Sequence, residues 1–371
     1  METMETKTAE SRTPSLASSL PPEQAARARG LRVVAIGGGT GLSTLLKGLK
    51  RFVVWPSEIP KQPDSPVISD LSAVVTVSDD GGSSGRLRKE LNMLPPGDIR
   101  NCIVALSEDE ALLSKLFRHR FEKGSGLEGH SFGNLFLAAL TSLTSDFSEA
   151  VRLSSEILVT RGHIYPATTS NIELEALMED GTRVRGETKI TASKGRIREL
   201  FLVPPNVGPM PQTLEAIANA DLITIGPGSL FTSLIPNLLV HGISDAIVNS
   251  PATKVYICNL MTQANESLGL TAADHIRALN SHARQRIFDY ALINRTPVSN
   301  ELKAKYALEG ACQIVADLEA IEALGVIPVL GDYLDEGGVA RHNTARVAND
   351  LVQLTTQASG VERKGRSAGE P

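Results

Sequence analysis

Between residues 30 and 358, short unbroken apolar runs alternate with stretches whose apolar residues recur every three or four positions. LRVVAI is followed by Leu42, Leu45, Leu46 and Leu49 on one helical face, and AVVTV, DLITI with a helix from Ser229, KVYIC, RIFDYALI and ACQIVAD continue the series. Unbroken apolar strands are those covered on both faces. Their alternation with amphipathic helices predicts an α/β fold, Rossmann-like, with a mostly parallel sheet and flanking helices. Residues 171–203 have another rhythm. There NIELEALMEDGTRVRGETKI and GRIRELFLVP surround turn signals at Asp180-Gly181 and Lys194-Gly195, which predicts inserted antiparallel β-hairpins. Pro56, Pro60, Pro63 and Pro66 make residues 52–70 a surface excursion, since proline suits neither a helix interior nor an inner strand. Residues 1–29 and 359–371 lack periodicity and are expected to be a disordered leader and tail around a single α/β domain spanning 30–358.

Composition narrows the function classes. At 42% hydrophobic and 21% charged residues the chain is an ordinary folded protein. A net charge of −5 with only 4% aromatics argues against a surface that hugs nucleic acid. Cys102, Cys258 and Cys312 are far apart and without Cys/His ligand spacing, so they read as thiols in a reducing compartment. No apolar run approaches the ~20 residues that cross a bilayer and no secretory signal pattern opens the chain, so no membrane span and a cytoplasmic location are expected.

The candidate chemistry sits where apolar runs end. Gly37-Gly38-Gly39-Thr40-Gly41 follows the first run and precedes an amphipathic helix, a place where backbone N–H groups and a helix N-terminus can approach a phosphate. It is neither a P-loop nor a clean GxGxxG, because no Gly-Lys-Ser/Thr follows and Leu42 stands at the third glycine position. Ser78-Asp79-Asp80-Gly81-Gly82-Ser83-Ser84-Gly85-Arg86 follows the second run; its acids could hold a divalent ion or a ribose, and its hydroxyls and Arg86 a phosphate. Asp98 and Ser131 read as helix N-caps, Ser107 and Glu110 as a capping box, and Arg100, His130 and Asn134 as polar groups in need of an explanation. Gly226-Pro227-Gly228-Ser229 and Asn259-Leu260-Met261-Thr262-Gln263 end two later runs. In an open parallel sheet such loops share one edge and ligands bind at its topological switch point, so the four loops are expected to converge on a cleft for a nucleotide or another phosphorylated small molecule.

The motifs VVAIGGGTGLS, TVSDDGGSSGRLR, PPGDIRNCIVALS, GHSFGNLFLAAL, IGPGSLFTSLIPNLLV and YICNLMTQ, in this order, resemble the bacterial gluconeogenesis factor family, the YvcK branch of the CofD-like superfamily, from about Leu31 to Leu351. The resemblance implies a cytoplasmic protein that binds UDP-sugars such as UDP-N-acetylhexosamines and supports cell shape and cell-wall synthesis on gluconeogenic carbon sources. It implies no established reaction or cofactor. The sister branch, 2-phospho-L-lactate transferase, moves a phospholactyl group from a nucleotide-linked donor with a metal. By position the resemblance places Gly37 to Gly41, Asp79, Asp80, Gly228 and Asn259 around the nucleotide, and adds Tyr306 and Arg341 for a uracil face and a diphosphate. A proline-rich 52–70, the leader, and Thr262-Gln263-Ala264-Asn265-Glu266-Ser267 in place of a Pro-Gly-Glu-Thr-like end depart from the family.

The leading expectation is therefore a UDP-sugar-binding regulator rather than an enzyme, with a cell-envelope or carbon-metabolism protein as partner and possible self-association. The alternative is a transferase using magnesium at Asp79 and Asp80, and a nicotinamide-dependent oxidoreductase comes third. Ligand contacts are expected from Gly37, Gly38, Gly39, Thr40, Gly41, Asp79, Asp80, Ser83, Ser84, Arg86, Asn134, Gly226, Gly228, Ser229, Asn259, Tyr306 and Arg341. Thr344, near the start of the last predicted helix and three residues from Arg341, is a candidate regulatory phosphorylation site.

Overall fold

The computed structural model describes residues 30–54, 67–108, 112–193 and 195–366. In chain order its strands are β1 (Leu31–Gly37), β2 (Ile68–Val75), β3 (His163–Pro166), β4 (Glu173–Met178), β5 (Arg183–Arg185), β6 (Ile197–Val203), β7 (Leu222–Ile225), β8 (Thr253–Ile257), β9 (Tyr290–Asn294), β10 (Ile327–Gly331), β11 (Leu334–Glu336) and β12 (Ala340–His342). Seven of them form the central sheet, ordered β10-β9-β8-β7-β1-β2-β3, and every neighbouring pair in it is parallel. The chain leaves β1 toward β2 and β3, then returns to β7 on the other side of β1. The switch point of the sheet thus lies between the carboxyl ends of β1 and β7, where such sheets bind ligands.

The apolar runs account for the centre of this sheet. Val33 to Ile36 in β1 and all of β7 are buried, as strands covered on both faces must be. Leu42, Leu45, Leu46 and Leu49 are all buried on the helix Gly39–Leu49, the face their spacing defines. The alternating segment also forms as expected in part. β4 and β5 pair antiparallel around Asp180-Gly181, with Leu174, Ala176 and Met178 buried on alternate positions.

Several expectations need correction. ETKI does not continue a hairpin: Glu187–Ala192 is a helix, and β6 pairs with β4 rather than with β5, giving a sheet ordered β5-β4-β6. Lys194 of the second turn signal lies outside the described residues, as do 55–66 of the proline-rich stretch and the whole 1–29 leader. Ile68–Asp70, assigned to that surface excursion, begin β2. ACQIVAD is not a strand; apart from a single bridge between Met261 and Gln313 it is a loop laid along the segment after β8. Ser107 ends the helix Gly97–Leu106 as its C-cap, and Glu110 of the supposed capping box is outside the described residues. The closing helix runs Thr344–Arg366, past the 358 boundary drawn for the folded part.

Candidate functional site

A cleft of about 730 Å³ opens over the carboxyl ends of β1, β7 and β8. Its floor is the loop Gly38–Gly41 and one face of the following helix, with Ser43, Thr44 and Lys47; its walls come from Pro227–Ser229, Asn259–Ala264, Tyr306 and Arg341. The first turn of a helix leaves N–H groups without intrahelical acceptors. Here Gly38 is the extended N-cap, and Gly39, in the left-handed region at φ +63°, sends its N–H to Asp98 Oδ2 at 2.7 Å. Asp98 is therefore no cap of its own helix. It pins the glycine loop from the side, and burial pushes its carboxyl up to about 6 against the opposing effect of that hydrogen bond.

Backbone contacts join the loops. A Cβ on Gly41 would lie 2.2 Å from the carbonyl oxygen of Pro227, so the first and third loops touch main chain to main chain. Asn259 closes on Gly228 with both ends of its carboxamide: Oδ1 accepts from the Gly228 N–H at 3.1 Å and Nδ2 donates to its carbonyl at 2.7 Å. Asn237 Nδ2 donates to the carbonyls of Gly37 at 3.2 Å and Ser233 at 2.8 Å, bridging the end of β1 to the helical segment after β7. That segment starts with a π turn, Leu230–Leu234, and the N–H groups of Phe231 and Thr232 donate to buried Glu266 at 2.8 and 3.0 Å. These carboxamides and Glu266 hold the loop ends as one rigid cradle.

The second loop lies behind this cradle rather than in its wall. Asp79, Asp80, Ser83, Ser84, Arg86 and Asn134 are absent from the cleft lining, as are Gly37 and Gly226. Asp80 Oδ1 accepts from both Thr188 N and Thr188 Oγ1, which caps the helix Glu187–Ala192 and docks the inserted sheet. Asp79 Oδ1 turns back to the N–H of Gly81 at 2.9 Å. Asn134 Nδ2 donates to Ser83 Oγ at 3.0 Å, which leaves the Ser83 hydroxyl proton for His130 Nδ1 at 2.9 Å. Arg100 donates to Ser131 Oγ at 2.5 Å and Asn134 Oδ1 at 3.1 Å, and Arg86 to the Glu128 carbonyl at 2.6 Å. His130, 3% exposed, is thus a satisfied member of a buried network. Ser131 does cap its helix, accepting from Asn134 N–H at 3.3 Å. Ser131→Ala should lower stability by about 1 kcal/mol in chemical denaturation, since the helix end and Arg100 both lose an acceptor.

Among the described residues no group of three or more His, Cys, Asp or Glu side chains is arranged to hold a metal ion. Asp80 is engaged by Thr188, and the nearby carboxyl of Glu187 is pushed up to about 9 by burial and by the charges of Asp79, Asp98, Asp80 and Glu266.

The far wall is built late in the chain. Tyr306 lines the cleft while its hydroxyl accepts from the Ala340 N–H at 3.2 Å, which ties the ring to the strand that carries Arg341. Arg341 stands opposite Asp335 in the small β11-β12 sheet. His342 Nε2 donates to the Cys258 carbonyl at 3.0 Å, so its Nδ1 is bare, and burial lowers its pKa to about 4, keeping the ring neutral. Lys47, Arg118 and Arg341 line the cleft against one acid, Glu309, so positive charge predominates on its lining. Thr344 opens the last helix, and its carbonyl packs on Gly48 of the helix that follows the glycine loop.

The sequence pattern did not single out Asn237, Glu266, Lys47, Arg118 or His342. Asn237 sits inside the apolar IPNLL, where a carboxamide with no evident partner is itself a signal of a buried hydrogen bond.

The family described as 2-phospho-L-lactate transferase CofD matches residues 33–334. The gluconeogenesis factor of Halalkalibacterium halodurans is 49% identical over 323 residues, covering 86% of this chain and 95% of that protein. The gluconeogenesis factor of Bacillus subtilis is 48% identical over 325 residues, 87% of this chain and 98% of that one. A crystal structure of a Bacillus halodurans protein of the UPF0052 family superposes with a TM-score of 0.81 at 48% identity, covering 87% of this chain and 99% of the other. The fold, the order of the loops and these likenesses agree, and the chain belongs to the CofD-like family, within its gluconeogenesis factor branch.

Proposed function

We propose that the cleft binds a UDP-linked sugar and that the protein acts as a regulator, coupling the level of a cell-envelope precursor to growth on gluconeogenic carbon. The observation that carries this reading is the meeting, at the sheet's switch point, of a glycine-opened helix N-terminus with Lys47, Arg118, Arg341 and the ring of Tyr306. A diphosphate suits the N–H groups and cations, and a pyrimidine suits the aromatic face. Binding, not turnover, is the role these groups support: glycine N–H donors, carboxamides already engaged and a neutral His342 position an anion, whereas no Ser/His/acid or Lys set in the cleft wall resembles an activated nucleophile. In this reading the protein works in the cytoplasm and passes the ligand's presence to a protein partner.

Tyr306→Ala and Arg341→Ala should each weaken UDP-N-acetylglucosamine binding by about 1–3 kcal/mol in calorimetry while the fold persists. Unchanged affinity in both variants contradicts the proposed site.

The description of the matched family favours a second reading, a transferase acting on a nucleotide-linked phospholactyl donor. Incubation with donor, deazaflavin acceptor and magnesium, followed by mass spectrometry, separates the two. A product that disappears in the Asp79→Asn, Asp80→Asn double variant establishes the transferase; its absence under all conditions supports the regulator.

A further inference from the structure

We propose that His342 recognises a sugar hydroxyl of the bound nucleotide: its Nδ1 accepts the proton of a hydroxyl beside the diphosphate that Arg341 holds. The inference rests on the UDP-sugar reading above and names a residue that would make the site selective for the hydroxyl groups of its ligand.

The ring is fixed by main chain. His342 closes β12, and its Nε2 lies 3.0 Å from the Cys258 carbonyl oxygen, just past the end of β8. A carbonyl can only accept, so Nε2 carries the proton and the neutral ring presents a lone pair at Nδ1. That one bond assigns the tautomer. Nδ1 has no partner among the described residues. Nor is it sealed off. The side-chain atoms that are both buried and partnerless include His275 Nε2 but not His342 Nδ1, so this nitrogen keeps accessible surface. It belongs to a half-buried side chain that lines the cleft, whereas Cys258, toward which the other nitrogen is turned, is only 3% exposed.

The chemistry of the wall leaves this acceptor a task. Lys47, Arg118, Arg341 and the N–H groups of the glycine loop all donate, which suits phosphate oxygens and does nothing for a hydroxyl proton. The carbonyls of the two asparagine side chains on the lining are already taken, Asn259 Oδ1 by the Gly228 N–H and Asn101 Oδ1 by Arg100. Position says which donor His342 meets. Arg341 and His342 are consecutive in β12, so their Cα atoms are about 3.8 Å apart. In a UDP-sugar both ends of the diphosphate are esterified to sugars, ribose on one side and the hexose on the other, and the base lies a full ribose away. Whichever way the ligand lies, the group next to an arginine-held diphosphate is a sugar. The acceptor is also preorganised, because the strand is tied on either side of Arg341, by the Ala340 N–H to the Tyr306 hydroxyl at 3.2 Å and by His342 to Cys258. A site built to hydrogen-bond a ligand hydroxyl rejects the analogue that lacks it.

The test is calorimetry at neutral pH of UDP-glucose, its 2′-deoxyribose and 3′-deoxyribose analogues, and UDP, with the full chain, His342→Gln and His342→Asn, each with its melting temperature. Glutamine extends its amide to the place of Nε2 and can keep the Cys258 bond, but it has no acceptor at the place of Nδ1. Asparagine puts an acceptor at the place of Nδ1 and cannot reach Cys258. The wild type should favour UDP-glucose over at least one of the other three ligands by about 10-fold, and His342→Gln should cut that preference to within about 3-fold. His342→Asn should keep the preference at a lower melting temperature. A preference lost against a deoxyribose analogue assigns the ribose hydroxyl, and one lost against UDP alone assigns the hexose. A role confined to bracing β12 would weaken all four ligands equally, so preferences preserved in His342→Gln overturn the inference. A wild type that binds all four ligands alike also overturns it, while leaving the UDP-sugar reading intact. A wild type that binds none of them contradicts that reading itself.

Discussion

Gly41→Ala is expected to destabilise the protein by about 3 kcal/mol and to weaken sugar-nucleotide binding by more than about 100-fold. Helix propensity alone predicts the reverse, because alanine is favoured over glycine in a helix by about 1 kcal/mol. The added methyl, however, would stand 2.2 Å from the Pro227 carbonyl oxygen, 2.7 Å from its carbon and 3.0 Å from Gly228 Cα. All three are main-chain atoms that no rotamer change can move aside. One of two loops must shift, and both belong to the anion cradle. Gly208, where an added Cβ meets nothing within 4 Å, is the matched control and should tolerate alanine. Chemical denaturation and calorimetry on the two variants check both halves of the expectation, and a Gly41→Ala protein that is stabilised and binds normally contradicts the description of the cradle.

Glu187→Gln should stabilise the protein at pH 7 by on the order of 3 kcal/mol and leave it unchanged near pH 4. Burial, reinforced by Asp79, Asp98, Asp80 and Glu266, raises this carboxyl from 4.5 to about 9. Below 4.5 it is protonated in both the folded and the unfolded chain and contributes no pH dependence. As pH rises beyond 4.5 the unfolded chain releases a proton that the folded chain retains, so stability falls by about 1.4 kcal/mol per pH unit until the folded group ionises near 9. Asp98, raised from 3.8 to about 6, adds a shorter decline over that interval. Glutamine has the same shape and nothing to ionise. Unfolding free energies of the two proteins between pH 4 and 8.5 should diverge with pH; a constant difference contradicts the protonated state of Glu187.

The physical reasons for what was legible differ from element to element. β1 and β7 are buried on both faces and read as uninterrupted apolar runs, so the parallel sheet follows from the sequence, whereas the strand order that puts the switch point between them does not. β3 and β10 escape such reading because HIYP, on one edge of the sheet, has an exposed His163 and a half-buried Tyr165 in place of an unbroken apolar run, and IPVLG carries a proline on the partly exposed strand at the other edge. ACQIVAD has a strand's alternation but spends its hydrogen bonds singly, Cys312 with Thr262 and Ile314 with Leu260, across from a loop. At the site, glycines mark where backbone must come close, and the loops after β1, β7 and β8 do converge. A polar residue, by contrast, carries no label for its partner. Asp98 reads as a helix cap and Asp80 as a ligand contact, yet one reaches Gly39 and the other Thr188, 59 and 108 residues away.

The central claim, a cleft made for a uridine diphosphate sugar, is tested most directly by thermal unfolding of the full chain with UDP-N-acetylglucosamine, UDP-glucose, GTP and NAD, with and without magnesium. A UDP-sugar at about 100 times its dissociation constant should stabilise the protein by about 2.7 kcal/mol, with or without the metal, and NAD should leave the melting temperature unchanged. A shift produced by NAD and by no uridine nucleotide would contradict the account and return the glycine loop to a dinucleotide-binding role.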